Sequence, residues 1–423
     1  MQFQLEQSQW WLAKTLQAHQ LAQLKMLLVH AYETVPFYRE RFQSCDFDPV
    51  GDFSLEDFCR LPVLTRTDIQ KLGKALLSSR VPPDHGRLIE DKTSGSTATP
   101  IHFYKTEVTL LLWHALTLRD HLWHKRDLSG KLASIRRLEE NVTNAGWGPS
   151  TDAVFHTGPA AGLKIETDVR DQIDWLRVQN PDYLLSFPSN LQALAKHCLA
   201  HGVSLPKLHE TLSVGEVVTP DLRKLCFEAW HAPLVDVYST AEVGYIALQC
   251  PRHEHYHVQS ESVVVEILDA DGQPCAPGTV GKVVITPLHN FAMPFIRYEI
   301  GDYAEPGGHC TCGRGLPVLN RILGRVRNMM TLPSGEQHWP TMGIGSYGKI
   351  APIRQCQIVQ KSLENIAVNL VAERSLTLEE EQRLREFIVS KLGHPFQIDF
   401  TYHSEIAREA SGKFEDFRSE IAR

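Results

Sequence analysis

At 423 residues the chain is too long for one small core, and two or three domains are expected. Its 43% hydrophobic and 22% charged content is that of an ordinary globular protein, and a net charge of -7 argues against nucleic-acid partners. No stretch of about 18 uncharged apolar residues occurs, so neither a membrane span nor a membrane partner is expected.

The polar start Met1–Gln9 is unlike a secretory leader, and nine scattered cysteines, an odd number, point to reduced thiols in the cytoplasm. An opening helix follows, with Trp10, Leu16, Leu24, Leu27 and Leu28 at helical spacing and Lys14, His19, Gln23 and Lys25 on a solvated face. It should stop before Val35-Pro36-Phe37-Tyr38, because a residue preceding proline avoids the helical region. Leu61-Pro62-Val63-Leu64 reads as a turn into another helix over 65–69. From about 85 to 290, strand-like and helical runs alternate, which argues an α/β core with part of its sheet parallel. One such unit is Tyr183–Ser186, then Pro188-Ser189-Asn190, then a helix closed by Gly202; Leu234–Tyr238 is a further strand. Val263–Leu268 and Val283–Leu288 are expected to form a hairpin through Asp269-Ala270-Asp271-Gly272. The last hundred or so residues read as a small α+β unit, in which Thr377 and Glu380 form a capping box and Gly393 ends the helix. A boundary at Gly324-Arg325 divides the chain into 1–324 and 325–423.

Four segments carry chemistry. Thr93-Ser94-Gly95-Ser96-Thr97-Ala98-Thr99-Pro100 is small and hydroxyl-rich, so its backbone and hydroxyls can wrap an anion, although such a run also serves as an ordinary surface turn. No lysine follows Gly95, which excludes the G-x-x-x-x-G-K-[ST] phosphate loop. Asp236–Gly244 is a strand ending in Tyr238, Ser239, Thr240 and Glu242, where a carboxylate can hold Mg²⁺ on a nucleotide; the plainer alternative is a strand-to-helix cap by Ser239 or Thr240. Asp302, after Gly301, is either a turn residue or an acceptor for ribose hydroxyls. Lys413, in Ala410-Ser411-Gly412-Lys413-Phe414, is either solvated or brings positive charge to a reacting phosphoryl or carboxylate group.

In this order and at these separations the segments resemble the adenylate-forming superfamily of acyl-CoA synthetases, adenylation domains and luciferases. The likeness is closest to its phenylacetate-CoA ligase branch, capsule-biosynthesis-like members included. Val35–Tyr38, Leu61–Leu64, Phe187-Pro188-Ser189 and 293–298 (Met-Pro-Phe-Ile-Arg-Tyr) belong to the same resemblance, which spans essentially the whole chain. It implies a large multi-sheet α/β adenylation domain with a small mobile α+β lid. It also implies residue roles. Residues 93–97 would hold the ATP phosphates, Gly215-Glu216 would lie beside the adenine, and Tyr238 would stack on it. Glu242 would ligate Mg²⁺, Asp302 would bind ribose, Arg325 would reach the nucleotide, and Lys413 would stabilise the adenylation transition state. Where the family usually carries acidic hinge residues after Gly-Arg, this chain has Arg327 and Asn328, which puts the lid swing and the second half-reaction in question.

Cys250-Pro-Arg-His253-Glu-His255-Tyr-His257 and Cys310-Thr-Cys312 have the ligand types and spacings of a closed, structural zinc site. The expected ligands are Cys250, His253, Cys310 and Cys312, with His257 as the alternative histidine; free thiols beside a histidine-rich loop are the other reading. The function expected is ATP- and Mg²⁺-dependent activation of a carboxylic acid, aryl or related, to acyl-AMP with release of pyrophosphate, followed by transfer to CoA. Transfer to a carrier-protein thiol or an amine is the alternative. A zinc-stabilised binding protein with a decayed site is a third reading, from another class. Trp113, His114, Phe187 and Tyr245 are candidates for the acid pocket, although aromatic residues are more often core, and a second copy of the chain is a candidate partner.

Overall fold

The computed structural model describes residues 1–93, 100–340, 347–409 and 412–421. They sort into two compact units: residues 1–133, 142–162 and 235–322, and residues 134–141, 163–234 and 323–423. Among the described residues no helix is long and apolar enough to cross a membrane.

In the first unit the long helix is Ala13–Thr34, and Val35, extended at φ -122° and ψ 103°, ends it one residue before Pro36. Leu24, Leu28 and Ala31 pack with Tyr38, Phe42 and Phe295 in one core. Trp10 is not on that buried face. It lies after the short helix Gln2–Ser8, is 47% exposed, and carries the Arg314 guanidinium 4.8 Å above its ring. The break between the two helices takes it out of the periodic stripe.

Seven strands follow in the order Val263–Leu268, Gly281–Pro287, Tyr298–Pro306, Val318–Arg325, Tyr256–Val258, Gly244–Gln249 and Leu234–Thr240. The first two are antiparallel, with Val263 opposite Pro287, but they are not joined by one tight hairpin. Gly272 (φ +75°) does turn the chain, its amide donating to Asp269 O at 3.2 Å. That turn returns only as far as Pro274, and a second bend at Gly278 (φ +87°) precedes the partner strand. The run ending in Tyr238-Ser239-Thr240 leads through a short turn into the antiparallel strand Gly244–Gln249 rather than into a helix, so no helix cap forms there.

In the second unit Tyr183–Ser186 pairs in parallel with Glu210–Val214, and the helix Pro188–His201 lies between them in sequence. Gly202, left-handed at φ +64°, ends that helix as expected. The C-terminal part has a four-stranded sheet ordered Gln397–Tyr402, Asn365–Ala372, Ile353–Gln360 and Phe417–Ser419. Its helix Leu378–Leu392 begins in the Thr377/Glu380 capping box and ends at Gly393, φ +74°. Leu384, Ile388 and Leu392 pack there against Ile366, Val368 and Leu370.

Candidate active site

The first unit brings Tyr238 and Asp302 together from two strands: the Tyr238 hydroxyl donates to Asp302 Oδ2 at 2.9 Å. Asp236, two residues back and on the same side of its strand, accepts from Tyr256 at 2.7 Å, which ties that strand down. A register shift between Tyr238 and Ser239 then sets Ser239 opposite Tyr245 and Thr240 opposite Gly244. Such a bulge re-aims the side chains that follow it. Among the described residues Thr240 Oγ1 is buried with no hydrogen-bond partner. Glu242 follows in the turn, 8% exposed.

Of the loop expected to hold phosphate, Ser94, Gly95, Ser96 and Thr97 lie outside the described residues. Thr93 is held at its base: its amide donates to Ile101 O at 2.9 Å, and its hydroxyl accepts from Ile101 N at 2.9 Å and from Arg66 Nη2 at 3.4 Å. Arg66 was not expected from sequence. Its signal is a cation at the first position of a helix capped by Thr65 and Asp68, and pairing across 27 residues brings it to the loop.

Trp113 and Tyr245 also meet in this unit, with ring centroids 4.8 Å apart. The Tyr245 hydroxyl bonds Thr117 Oγ1 at 2.9 Å, and burial pushes its pKa up. A Cβ at Gly244 (φ +95°) would lie 3.8 Å from the Trp113 ring. His114 Nδ1 bonds Ser150 Oγ at 2.8 Å, and burial lowers its pKa.

In the second unit Gly215 (φ +81°) follows the strand Glu210–Val214, and a Cβ placed there would sit 3.1 Å from Lys413 Cε and 3.5 Å from its Nζ. Lys413 thus lies directly over a glycine, where a side chain would displace it. Phe187 belongs to this neighbourhood: its ring comes within 3.5 Å of the Gly215 Cβ position and 3.1 Å of the Gly412 one. The Glu216 carboxylate accepts from Ser189 N at 2.8 Å, Ser189 Oγ at 3.0 Å and Phe414 N at 2.7 Å. Burial raises its pKa against those donors. Gly324 (φ +82°) leaves only 2.8 Å between its Cβ position and Val217, and the Arg325 carbonyl accepts from Trp339 Nε1 at 3.4 Å. Arg327 pairs with Glu409 at 2.6 Å and Glu415 at 2.7 Å, and Asn328 Nδ2 donates to Phe417 O at 2.8 Å.

The cysteine–histidine cluster assembles in the first unit. Ligand atoms of Cys250, His255, His257 and Cys310 all lie within 4.8 Å of one another. His253 is not among them; it stacks on His255 with centroids 4.9 Å apart and bonds Thr311 Oγ1 at 3.0 Å. Cys312 Sγ lies 3.3 Å from His257 Nε2, and Cys312 N donates to Cys310 Sγ at 3.3 Å. The histidines brought beside Cys250 and Cys310 are thus His255 and His257 rather than His253, and Cys312 stands beside His257. The reason is local. Cys250 N bonds His255 O at 2.8 Å, which folds the turn back over the thiol and carries His253 outward. The Leu316 carbonyl 3.4 Å from His257 Nδ1 can only accept, so Nδ1 holds the proton and the Nε2 lone pair faces the thiols. His255 Nε2 is buried without a partner among the described residues, as a ligand atom awaiting a cation would be.

Residues 346–419 match the CapK C-terminal domain family. The phenylacetate-coenzyme A ligase of Thermus thermophilus is 28% identical over 339 residues, spanning 77% of this chain and 74% of the relative. That of Escherichia coli is 26% identical over 408 residues, 89% of each chain. In fold, 2-hydroxyisobutyryl-CoA ligase in its postadenylation state with R3-HIB-AMP superposes at a TM-score of 0.75 and 19% identity, covering 95% of this chain and 89% of that one.

Proposed function

The chain is a homologue of the phenylacetate-coenzyme A ligases with the fold of the adenylate-forming ligases, and from that premise we propose that it activates an aryl or related carboxylic acid with ATP and passes the acyl group to CoA. The observation that carries this reading is Lys413 seated against the bare backbone of Gly215. In the first half-reaction a substrate carboxylate oxygen attacks the α-phosphorus of ATP, the bond to the β-phosphate oxygen breaks, and pyrophosphate leaves. Lys413 supplies positive charge to the crowded oxygens in that transition state. Asp302, oriented by Tyr238, accepts the ribose hydroxyls, while Tyr238 presents its ring to the adenine. Thr93, Thr240 and Arg66 bind phosphate oxygens, and Arg325 reaches the nucleotide. Mg²⁺, which Glu242 would hold, draws charge from the triphosphate when bound. In the second half-reaction the CoA sulfur attacks the acyl carbon, AMP leaves with the mixed-anhydride oxygen, and the thiol proton goes to solvent. Trp113, His114 and Tyr245 are assigned to the acid pocket.

The test is exchange of labelled pyrophosphate into ATP with phenylacetate, benzoate and 2-hydroxyisobutyrate as acids. Exchange that depends on one of them, and that falls on the order of 10²–10³-fold in Lys413→Ala, supports the assignment. Undiminished exchange in the variant removes Lys413 from catalysis, and exchange with none of the three removes this substrate class. Offering CoA, an amine and a carrier protein to the preformed acyl-AMP identifies the acceptor.

We further propose a structural Zn²⁺ held by Cys250, His255, His257 and Cys310. Four protein donors close the shell and leave no position for a substrate. Burial lowers His257 to about 4 and pushes Cys310 up to about 12. A neutral imidazole is therefore ready to ligate, whereas the thiol needs the cation to ionise.

A further inference from the structure

We propose that Glu216 is a positioning residue that sets the Lys413 turn for acyl-AMP formation, an inference that rests on the adenylating role given to Lys413 above. Its side chain is 9% exposed, and both of its oxygens are engaged by protein donors. Oε2 takes the Ser189 amide at 2.8 Å; Oε1 takes the Ser189 hydroxyl at 3.0 Å and the Phe414 amide at 2.7 Å. Ser189 stands in the first turn of the helix Pro188–His201, where backbone amides have no partner within the helix. The carboxylate is thus anchored on a rigid helix end and offers its remaining reach to the residue directly after Lys413.

The described residues that flank 410–411 bond one another. Glu409 N donates to Lys413 O at 2.9 Å and Gly412 N to Glu409 O at 2.8 Å. Arg408 Nη1 ties the same turn to Ser189 Oγ at 2.7 Å and to Gly412 O at 3.1 Å. Arg327 braces it from within the C-terminal part, through Glu409 and Glu415, which lie on either side of Lys413 in sequence. Burial raises the Glu415 carboxyl, Arg327 opposes that, and Glu409 adds to it, so the arginine is what lets two carboxylates share that space. The Phe414–Glu216 bond joins this braced turn to the segment after the strand Glu210–Val214. Breaking it removes the link at the residue directly after Lys413 and loosens the hold on Lys413 over Gly215, while the Arg408–Ser189 bond and the bonds among 409, 412 and 413 remain. A carboxylate occupied in this way acts on the reaction through Lys413 and needs no contact with the nucleotide.

The experiment compares the full chain with Glu216→Ala and Glu216→Gln. Three quantities are read: pyrophosphate exchange with phenylacetate, conversion of supplied phenylacetyl-AMP and CoA to thioester, and amide hydrogen exchange over 409–417. In Glu216→Ala the kcat for pyrophosphate exchange should fall about 10- to 100-fold, the loss expected when a catalytic group is misplaced by up to about 1 Å. KM for ATP and the thioester-forming step should stay unchanged, and 409–417 should exchange faster. Glu216→Gln, which keeps one oxygen acceptor, should fall between. A raised KM for ATP with unchanged kcat would make Glu216 a nucleotide contact and overturn the proposal. An equal fall in both half-reactions would reduce it to a fold-supporting residue, and an unchanged 409–417 segment would remove the latch. If phenylacetate supports no exchange in the unsubstituted protein, the substrate reading fails, the same comparison is read with an acid that does support exchange, and unchanged amide exchange over 409–417 would still overturn the latch.

Discussion

Gly215→Ala places one methyl group where the structure leaves room for none. The backbone cost comes first: φ is +81°, a region that costs an L-residue about 1–2 kcal/mol. The steric cost falls on Lys413, because the new Cβ would lie 3.1 Å from its Cε, closer than the roughly 3.5 Å at which carbon atoms make favourable contact. The lysine end is flexible, so it gives way by about 0.4 Å rather than unfolding anything. If a displacement of about 1 Å costs about 10²-fold, this shift costs about sixfold in the adenylating step. Pyrophosphate exchange measured at saturating ATP should show that loss, and urea unfolding should show the backbone term separately. A cycle with Lys413→Ala identifies the route. If the methyl group acts through Lys413, the double variant is no slower than Lys413→Ala alone. Full exchange in Gly215→Ala, or losses that simply multiply in the double variant, would refute the reasoning.

Tyr238→Phe removes a donor 2.9 Å from the Asp302 carboxylate, so AMP affinity measured by calorimetry should weaken about 10-fold, the equivalent of one hydrogen bond to a charged group; unchanged affinity would dissociate Tyr238 from Asp302. Metal analysis should find one zinc per chain, lost in His255→Ala and in Cys310→Ser but kept in His253→Ala, and retention in His255→Ala would overturn the ligand set. Glu380 should report on acid stability. The Arg374 guanidinium and the Thr377 amide hold its carboxyl at about 2 against an ordinary 4.5. A depressed carboxylate stabilises the native state above its unfolded value and loses that contribution as pH falls toward the folded one. The stability gap between the unsubstituted chain and Arg374→Ala should therefore narrow as pH drops through that window in urea titrations. A gap independent of pH would remove the pair from the ledger.

Local chemistry by itself determined the punctuation of this chain. Pro36 ends the first long helix, Thr377 and Glu380 open the C-terminal helix, and Gly202 and Gly393 close theirs, because each depends only on backbone angles and neighbours within a turn. The α/β character and the candidate residues Tyr238, Asp302 and Lys413 were legible too, through residue type and order. Tertiary structure decided the rest. The exposure of Trp10 and the indirect return between Val263–Leu268 and Gly281–Pro287 depend on helix breaks and second turns that periodicity does not register. That His255 rather than His253 lies beside Cys250 follows from one backbone bond at Cys250, and Arg66 bonds Thr93, 27 positions further along the chain. The bond from Phe414 to Glu216 spans 198 positions in the chain. Spacing can propose which residue types meet. Only the folded backbone selects which of several equivalent donors points inward, because that choice rests on orientation, and orientation is fixed by hydrogen bonds between segments far apart in sequence.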